Sequence, residues 1–193
     1  MQLFLLMIAV SGPADEWAPG FGSRLAPYVH ITDECVTLRN RGILVSKKMY
    51  DEVAISFTWK WTEGDEAGKY QDHLCVVFGT DGEQRPAWSH EIDHGTLVRL
   101  NPGSGGITVE LWQTAAREAR QLGSKDGFTF ARGMEYDVRM VVKDGKLTVF
   151  VDGTEAVTVD LPKEYQRGRV AIYDRESVAG VVKESQLTKL AIE

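Results

Sequence analysis

Trp88-Ser89-His90-Glu91-Ile92-Asp93-His94-Gly95 holds the densest set of polar and aromatic groups in the chain. On an extended strand, side chains two apart share a face and stand roughly 6.6 Å apart along it. Glu91 and Asp93 then project together, a spacing that suits paired-carboxylate chemistry on glycosidic bonds. One carboxyl acts as acid and the other as nucleophile or base, at about 5–9 Å separation. Neighbouring carboxylates also drive their protonation ranges apart, as that division of labour requires. The same pair also suits hydrogen bonding to sugar hydroxyls, and on an exposed sheet face it is ordinary solvated surface. His90 and His94 have the opposite parity. On a strand they lie roughly 13 Å apart, too far to share one metal ion. A bulge near Gly95 would bring His94 round to the carboxylates.

A second polar face belongs to the run Ile107 to Trp112. Ile107, Val109 and Leu111 alternate with Thr108, Glu110 and Trp112. An indole can stack on a pyranose while the carboxylate beside it accepts hydrogen bonds from the sugar's hydroxyls. It can equally be an edge tryptophan covering a loop. Asp72-His73 offers a further acid–base pair, or a strand-end hydrogen bond. Asp81-Gly82-Glu83 with Asp174 offers a weak structural-calcium pattern, and no Cys/His spacing suggests zinc. No other cofactor is expected: there is no nucleophile elbow, phosphate-cradling loop or dinucleotide glycine fingerprint.

These groups need a β scaffold. From Glu135 to Leu161, three alternating runs are separated by Asp144-Gly145 and Asp152-Gly153, the strongest short-range signal for hairpins. Tyr136, Val138, Met140 and Val142 share one parity, so this stretch is read as an antiparallel meander with one face on the core. Val53, Ile55, Phe57, Trp59 and Trp61 form another core-facing row, in which Trp59 is structural. His73 to Gly79 is nearly continuously apolar, as in a strand covered on both faces. Strands are further expected over His30–Leu38, Ile43–Ser46, Trp88–Leu100, Arg169–Asp174 and Leu187–Glu193. Residues 12 to 29 read as an irregular lead-in. Thr114 to Gly123 reads as a short helix or an extended excursion.

The 193 residues suit one domain, and the 19 glycines with few helical patterns point to an all-β sandwich or barrel. A net charge of −6 without a basic cluster argues against nucleic acid and anionic membrane surfaces. Leu3 to Val10 has the length of a secretory apolar core and is too short to span a bilayer. Residues 1–14 are therefore expected to be a signal peptide and 15–193 an exported domain. A buried first strand is the alternative. Cys35 and Cys75 are expected to be free buried thiols, although export would allow them to pair.

The segments YDEVAISFTWKW, HLCVVFG, then after a loop HEIDHG or ITVELW, and finally EYDVRMVVKDGKLTVFVDGTEAV, GRVAIYD and LTKLAIE, in that order, resemble the concanavalin A-like lectin/glucanase superfamily. Within it the run looks most like the 3-keto-disaccharide hydrolase domain. The resemblance covers roughly residues 30 to 193 and implies a jelly roll of two antiparallel sheets with glycan on the concave one. PAWSHEIDHG is also similar to the catalytic strand of glycoside hydrolase family 16. There Glu91 would match the nucleophile and Asp93 the helper, but the acid position holds Gly95, or Thr96 in the longer spacing. The reading is thus a carbohydrate-recognising domain using Trp88, His90, Glu110 and Trp112. The alternative is a glycoside hydrolase using Glu91 and Asp93 with His94 or Glu110 assisting, and a structural or adhesive sandwich is a third possibility. The expected partner is a saccharide or glycoside.

Overall fold

A computed structural model of the chain describes residues 12–20, 28–39, 42–63, 73–80, 95–102, 105–113, 118–175 and 184–193. Among the described residues, fourteen strands form two antiparallel seven-stranded sheets. The first contains, in spatial order, β1 (Trp17–Pro19), β4 (Ile43–Ser46), β13 (Arg169–Arg175), β6 (His73–Thr80), β7 (Gly95–Asn101), β8 (Gly106–Gln113) and β9 (Glu118–Asp126). The second contains β12 (Thr154–Asp160), β11 (Lys146–Val151), β10 (Tyr136–Lys143), β5 (Val53–Glu63), β14 (Glu184–Ile192), β3 (Cys35–Arg39) and β2 (Val29–Ile31). The result is an all-β jelly-roll sandwich. Among the described residues, no helix is long and apolar enough to cross a membrane.

The meander is present with both turns. Asp144 and Gly145 have φ of 50° and 70°, Asp152 and Gly153 49° and 74°, so each pair provides the two positive dihedrals of a primed hairpin turn. Val138, Met140 and Val142 of β10 face Leu147, Val149 and Val151 of β11 across the pairing, and all six are buried. Ile55, Phe57, Trp59 and Trp61 continue that core from β5, as their parity predicts. The first sheet supplies the opposing layer: Leu74, Val76, Phe78, Val98, Leu100, Ile107, Val109, Val170 and Ile172.

Trp59 is structural through a polar chain as well as by packing. Its indole N–H donates to Ser185 Oγ at 3.1 Å, and the Ser185 hydroxyl donates to Asp174 Oδ1 at 2.7 Å. Because Asp174 belongs to β13 and Ser185 to β14, this chain ties the two sheets together inside the sandwich. Trp61 is buried too, and its indole donates to the Phe130 carbonyl at 3.1 Å. Elsewhere backbones approach closely: a Cβ at Gly79 would strike the Tyr165 carbonyl, and one at Gly168 would strike Gly79.

Several local expectations change. His30–Leu38 is two strands: Thr32 to Glu34 turn the chain, with Thr32 Oγ1 accepting from the Cys35 amide at 3.0 Å. Residues 12–29 are not wholly irregular, since Pro13–Glu16 forms one helical turn and Trp17–Pro19 is β1. That turn is clipped to the loop after β4 by Lys48 and Glu16, 3.1 Å apart, a partnership that raises the Lys48 pKa. Of the two readings of Thr114–Gly123, the extended one holds from Glu118, where strand β9 begins, while residues 114–117 lie outside the described residues. Pairing with the edge of β8 outweighs the high helical propensity of Glu118 to Gln121. Neither cysteine forms a disulfide; Cys75 is buried and Cys35 half-buried. They belong to different sheets.

Ser185→Ala removes the indole's acceptor and Asp174's hydroxyl donor without adding bulk. It is expected to cost about 1–3 kcal/mol, read as a lower urea midpoint at unchanged slope.

Candidate functional site

Strand parity decides which side chains can meet a ligand. In β7 and β8, Val98, Leu100, Ile107 and Val109 face the core, so Leu97, Arg99, Asn101, Thr108 and Glu110 occupy the outer face of the first sheet. Ile107, Val109 and Leu111 are buried as expected. Arg99 lies directly opposite Thr108, and Glu110 is one step along the diagonal. That diagonal is within reach of long side chains. Arg99 Nη2 and Glu110 Oε2 stand 3.0 Å apart, with side-chain exposures of 10% and 19%. The angles fall short of a hydrogen bond at that oxygen, so the contact is an ion pair held by charge and enclosure. Asn101 Nδ2 donates to Thr108 Oγ1 at 3.2 Å, which continues the polar row. Across the next pairing, Ser124 lies opposite Thr108 and Gln121 opposite Glu110.

The other half of this outer face is apolar. Ile43, Val45, Cys75, Val77, Leu97, Ala171 and Tyr173 form a second buried cluster, separate from the sandwich core. The row therefore runs from hydrocarbon at β4 to hydroxyl, amide and charge at β8 and β9. An ion pair against such an apolar floor feels a low dielectric, which strengthens any hydrogen bond it makes. Chemically, the patch can accept hydrogen bonds at Glu110, donate them from Arg99 and complement hydroxyls at Thr108, Gln121 and Ser124. These are binding capacities, and one carboxylate supplies no acid/base pair.

The structure reaches the other sequence candidates unevenly. Trp88, His90, Glu91, Asp93 and His94 lie outside the described residues, as do Asp72 and Asp81 to Glu83. Trp112 is on β8, and its backbone pairs with Gly95 on one side and Ala119 on the other. Gly95 opens β7 at φ +144°, where a Cβ would lie 2.7 Å from the Phe78 carbonyl, so a glycine is required there. The register from Gly95 to Asn101 against β8 runs without a shift. Asp174, read as a possible calcium ligand, is buried on the core side with Oδ1 accepting from Ser185. Among the described residues, no group of three His, Cys, Asp or Glu is placed to hold a metal. The sequence reading missed Arg99. Its signal was the alternation of Val98 and Leu100 about it, which leaves Arg99 on the face that Glu110 shares.

No protein-family model matches the chain, and no curated protein matches it. Solved structures do match in shape. The carbohydrate binding module CBM66 from Bacillus subtilis superposes with a TM-score of 0.67 at 10% identity, over 92% of this chain and 95% of that one. The carbohydrate recognition domain of Emp46p, in a metal-free form, gives 0.63 at 14% identity, over 92% and 88%. Alginate lyase AlgAT5, from polysaccharide lyase family 7, gives 0.61 at 14% identity, over 95% and 99%. At these identities the likeness is one of fold.

Glu110→Leu removes the carboxylate facing Arg99 inside this enclosure. We expect a loss of about 1–3 kcal/mol for the donor left unsatisfied, with much of it recovered in Arg99→Met/Glu110→Leu. A double-mutant cycle in urea checks this.

Proposed function

We propose that the chain is a carbohydrate-recognising domain that binds a saccharide on the outer face of its first sheet. The observation that carries this reading is the Arg99–Glu110 pair at 3.0 Å, set among Thr108, Gln121 and Ser124 beside an apolar floor. Sugars present alternating hydroxyl and C–H surface. A charged donor–acceptor pair satisfies the first, since hydrogen bonds to charged groups are the stronger kind. Names of similar folds, a carbohydrate binding module and a carbohydrate recognition domain among them, support the same class.

The chain itself supplies further candidates. Successive Cα atoms are about 3.8 Å apart, so Asp93 lies within about 8 Å of Gly95, whose backbone faces Trp112 two residues beyond Glu110. In this reading Trp88, His90 and Trp112 add stacking and hydrogen bonds at that end of the patch. The saccharide is the partner, and export of the domain after removal of residues 1–14 is part of the proposal.

The second reading is a glycoside hydrolase resembling the 3-keto-disaccharide hydrolases. It is favoured by the lyase and hydrolase names among similar folds and by the Glu91/Asp93 spacing. Glu91 and Asp93 would share the acid and base roles, with His94 or Glu110 assisting.

A glycan panel on the purified protein separates the readings. Recognition predicts binding that Glu110→Gln weakens about tenfold, the worth of one charge-assisted hydrogen bond. Trp112→Ala is expected to weaken it as well, with thermal unfolding of both variants near wild type. Hydrolysis predicts turnover of a 3-keto-glycoside that Glu91→Gln abolishes. Absence of both binding and turnover would leave a structural sandwich.

A further inference from the structure

The opposite side of the molecule carries an open groove that the first-sheet site does not use. A cavity of about 480 Å³ lies on the outer face of the second sheet, lined by Ser56, Thr58, Asp137, Arg139, Phe150 and Lys189 among others. That volume falls within the roughly 300–1,000 Å³ of small-molecule sites. Arg139 stands directly across from Phe150 on one side and Ser56 on the other, and Asp137 across from Thr58. All five therefore share one face of the sheet.

Two features set this groove apart from ordinary surface. The first is charge. Asp137 is already engaged, with Thr58 Oγ1 donating to its Oδ1 at 2.6 Å. Arg139 and Lys189 have no ion-pair partner among the described residues, so the lining carries a net positive charge on a protein whose total is −6. The second is the backbone at Lys189. Its φ is +53°, and it falls at a register shift of β14 between Thr188, opposite Thr58, and Ala191, opposite Ser56. The other two non-glycine residues with positive φ among the described ones, Asp144 and Asp152, sit in hairpin turns that need it. Lys189 has no turn to serve. Glycine would adopt this conformation without strain, whereas a lysine there stores some. Bulges of this kind re-aim a side chain, and this one lies at the cavity wall.

We propose that this groove is a second binding site, for a sugar unit bearing a carboxylate. Arg139 and Lys189 take the carboxylate, the half-buried Phe150 offers a ring face to the sugar's C–H surface, and Ser56 and the Asp137 carboxylate meet its hydroxyls. A planar guanidinium pairs with a carboxylate through two parallel hydrogen bonds, and an ammonium adds a point charge. The two cations make the match to an acidic sugar; a neutral one would leave both without a partner in the complex.

Calorimetric titration of the full chain with trigalacturonate and triglucuronate, each against its fully methyl-esterified form, tests this. At least one acid form is expected to bind about ten times more tightly than its ester, with affinity falling as salt is added. Arg139→Gln and Lys189→Gly should each weaken it about tenfold. Lys189→Gly should melt at or above the wild-type temperature, because glycine accepts the positive φ. In Glu110→Gln the preference for acid over ester should persist, so failure of the first-sheet reading would appear separately, as a wild type that binds no neutral glycan or as neutral-glycan binding that Glu110→Gln leaves unaltered. Equal affinity for acid and ester would overturn the proposal. So would no binding of either acid, or acid binding sensitive to Glu110→Gln and indifferent to Arg139→Gln.

Discussion

The first sheet has to hide both of its faces, and the rest of the arrangement follows from that demand. Its inner side packs against the second sheet through Leu74, Val76 and Phe78, while its outer side carries Cys75 and Val77, all buried. A strand with no solvent side leaves no room for polar groups at the centre of the sheet. Polar chemistry is displaced to the β7–β9 end, where Arg99, Thr108 and Glu110 meet. Displacement there also encloses it. The ion pair sits against hydrocarbon, where its attraction is stronger than on open surface.

The second sheet obeys a simpler rule. Its inner parity is apolar, while its outer parity mixes Ser56, Thr58, Asp137, Arg139 and Lys143 with the half-buried Phe150. One side faces water, and the alternation is clean. The two layers of one sandwich thus present different chemistry outward: an enclosed neutral pair on one side, an open cationic groove on the other.

That difference also governs what the sequence makes legible. The meander, the Val53–Trp61 row and the doubly covered His73–Gly79 strand are read directly, because parity and Asp-Gly turns are local signals. The inward run Ile107, Val109 and Leu111 left Thr108 and Glu110 facing out, as found. Partnerships across strands are harder, since they depend on register. Nothing local to Leu97–Asn101 states that Arg99 will stand opposite Thr108, so the charge partner of Glu110 was invisible. The groove on the second sheet was hidden for the same reason: Arg139, Phe150 and Lys189 come from three strands spread over 51 positions of sequence. Strand β9 was only half legible: Thr114 to Gly123 reads as a short helix or as an extended excursion, and the edge of β8 decides for the second from Glu118.

Chain order adds a consequence in time. The two strands latest in sequence do not lie at the margins: β13 sits between β4 and β6, and β14 between β5 and β3. Each sheet is therefore a pair of unfinished halves until residues 169 to 192 arrive, and the ribosome has made nearly all of the domain before either layer can zip shut. Contacts so distant along the chain make for slow maturation. In the interval four raw borders, normally joined in pairs, stand open to any neighbouring nascent chain, which is where a chaperone has most to do.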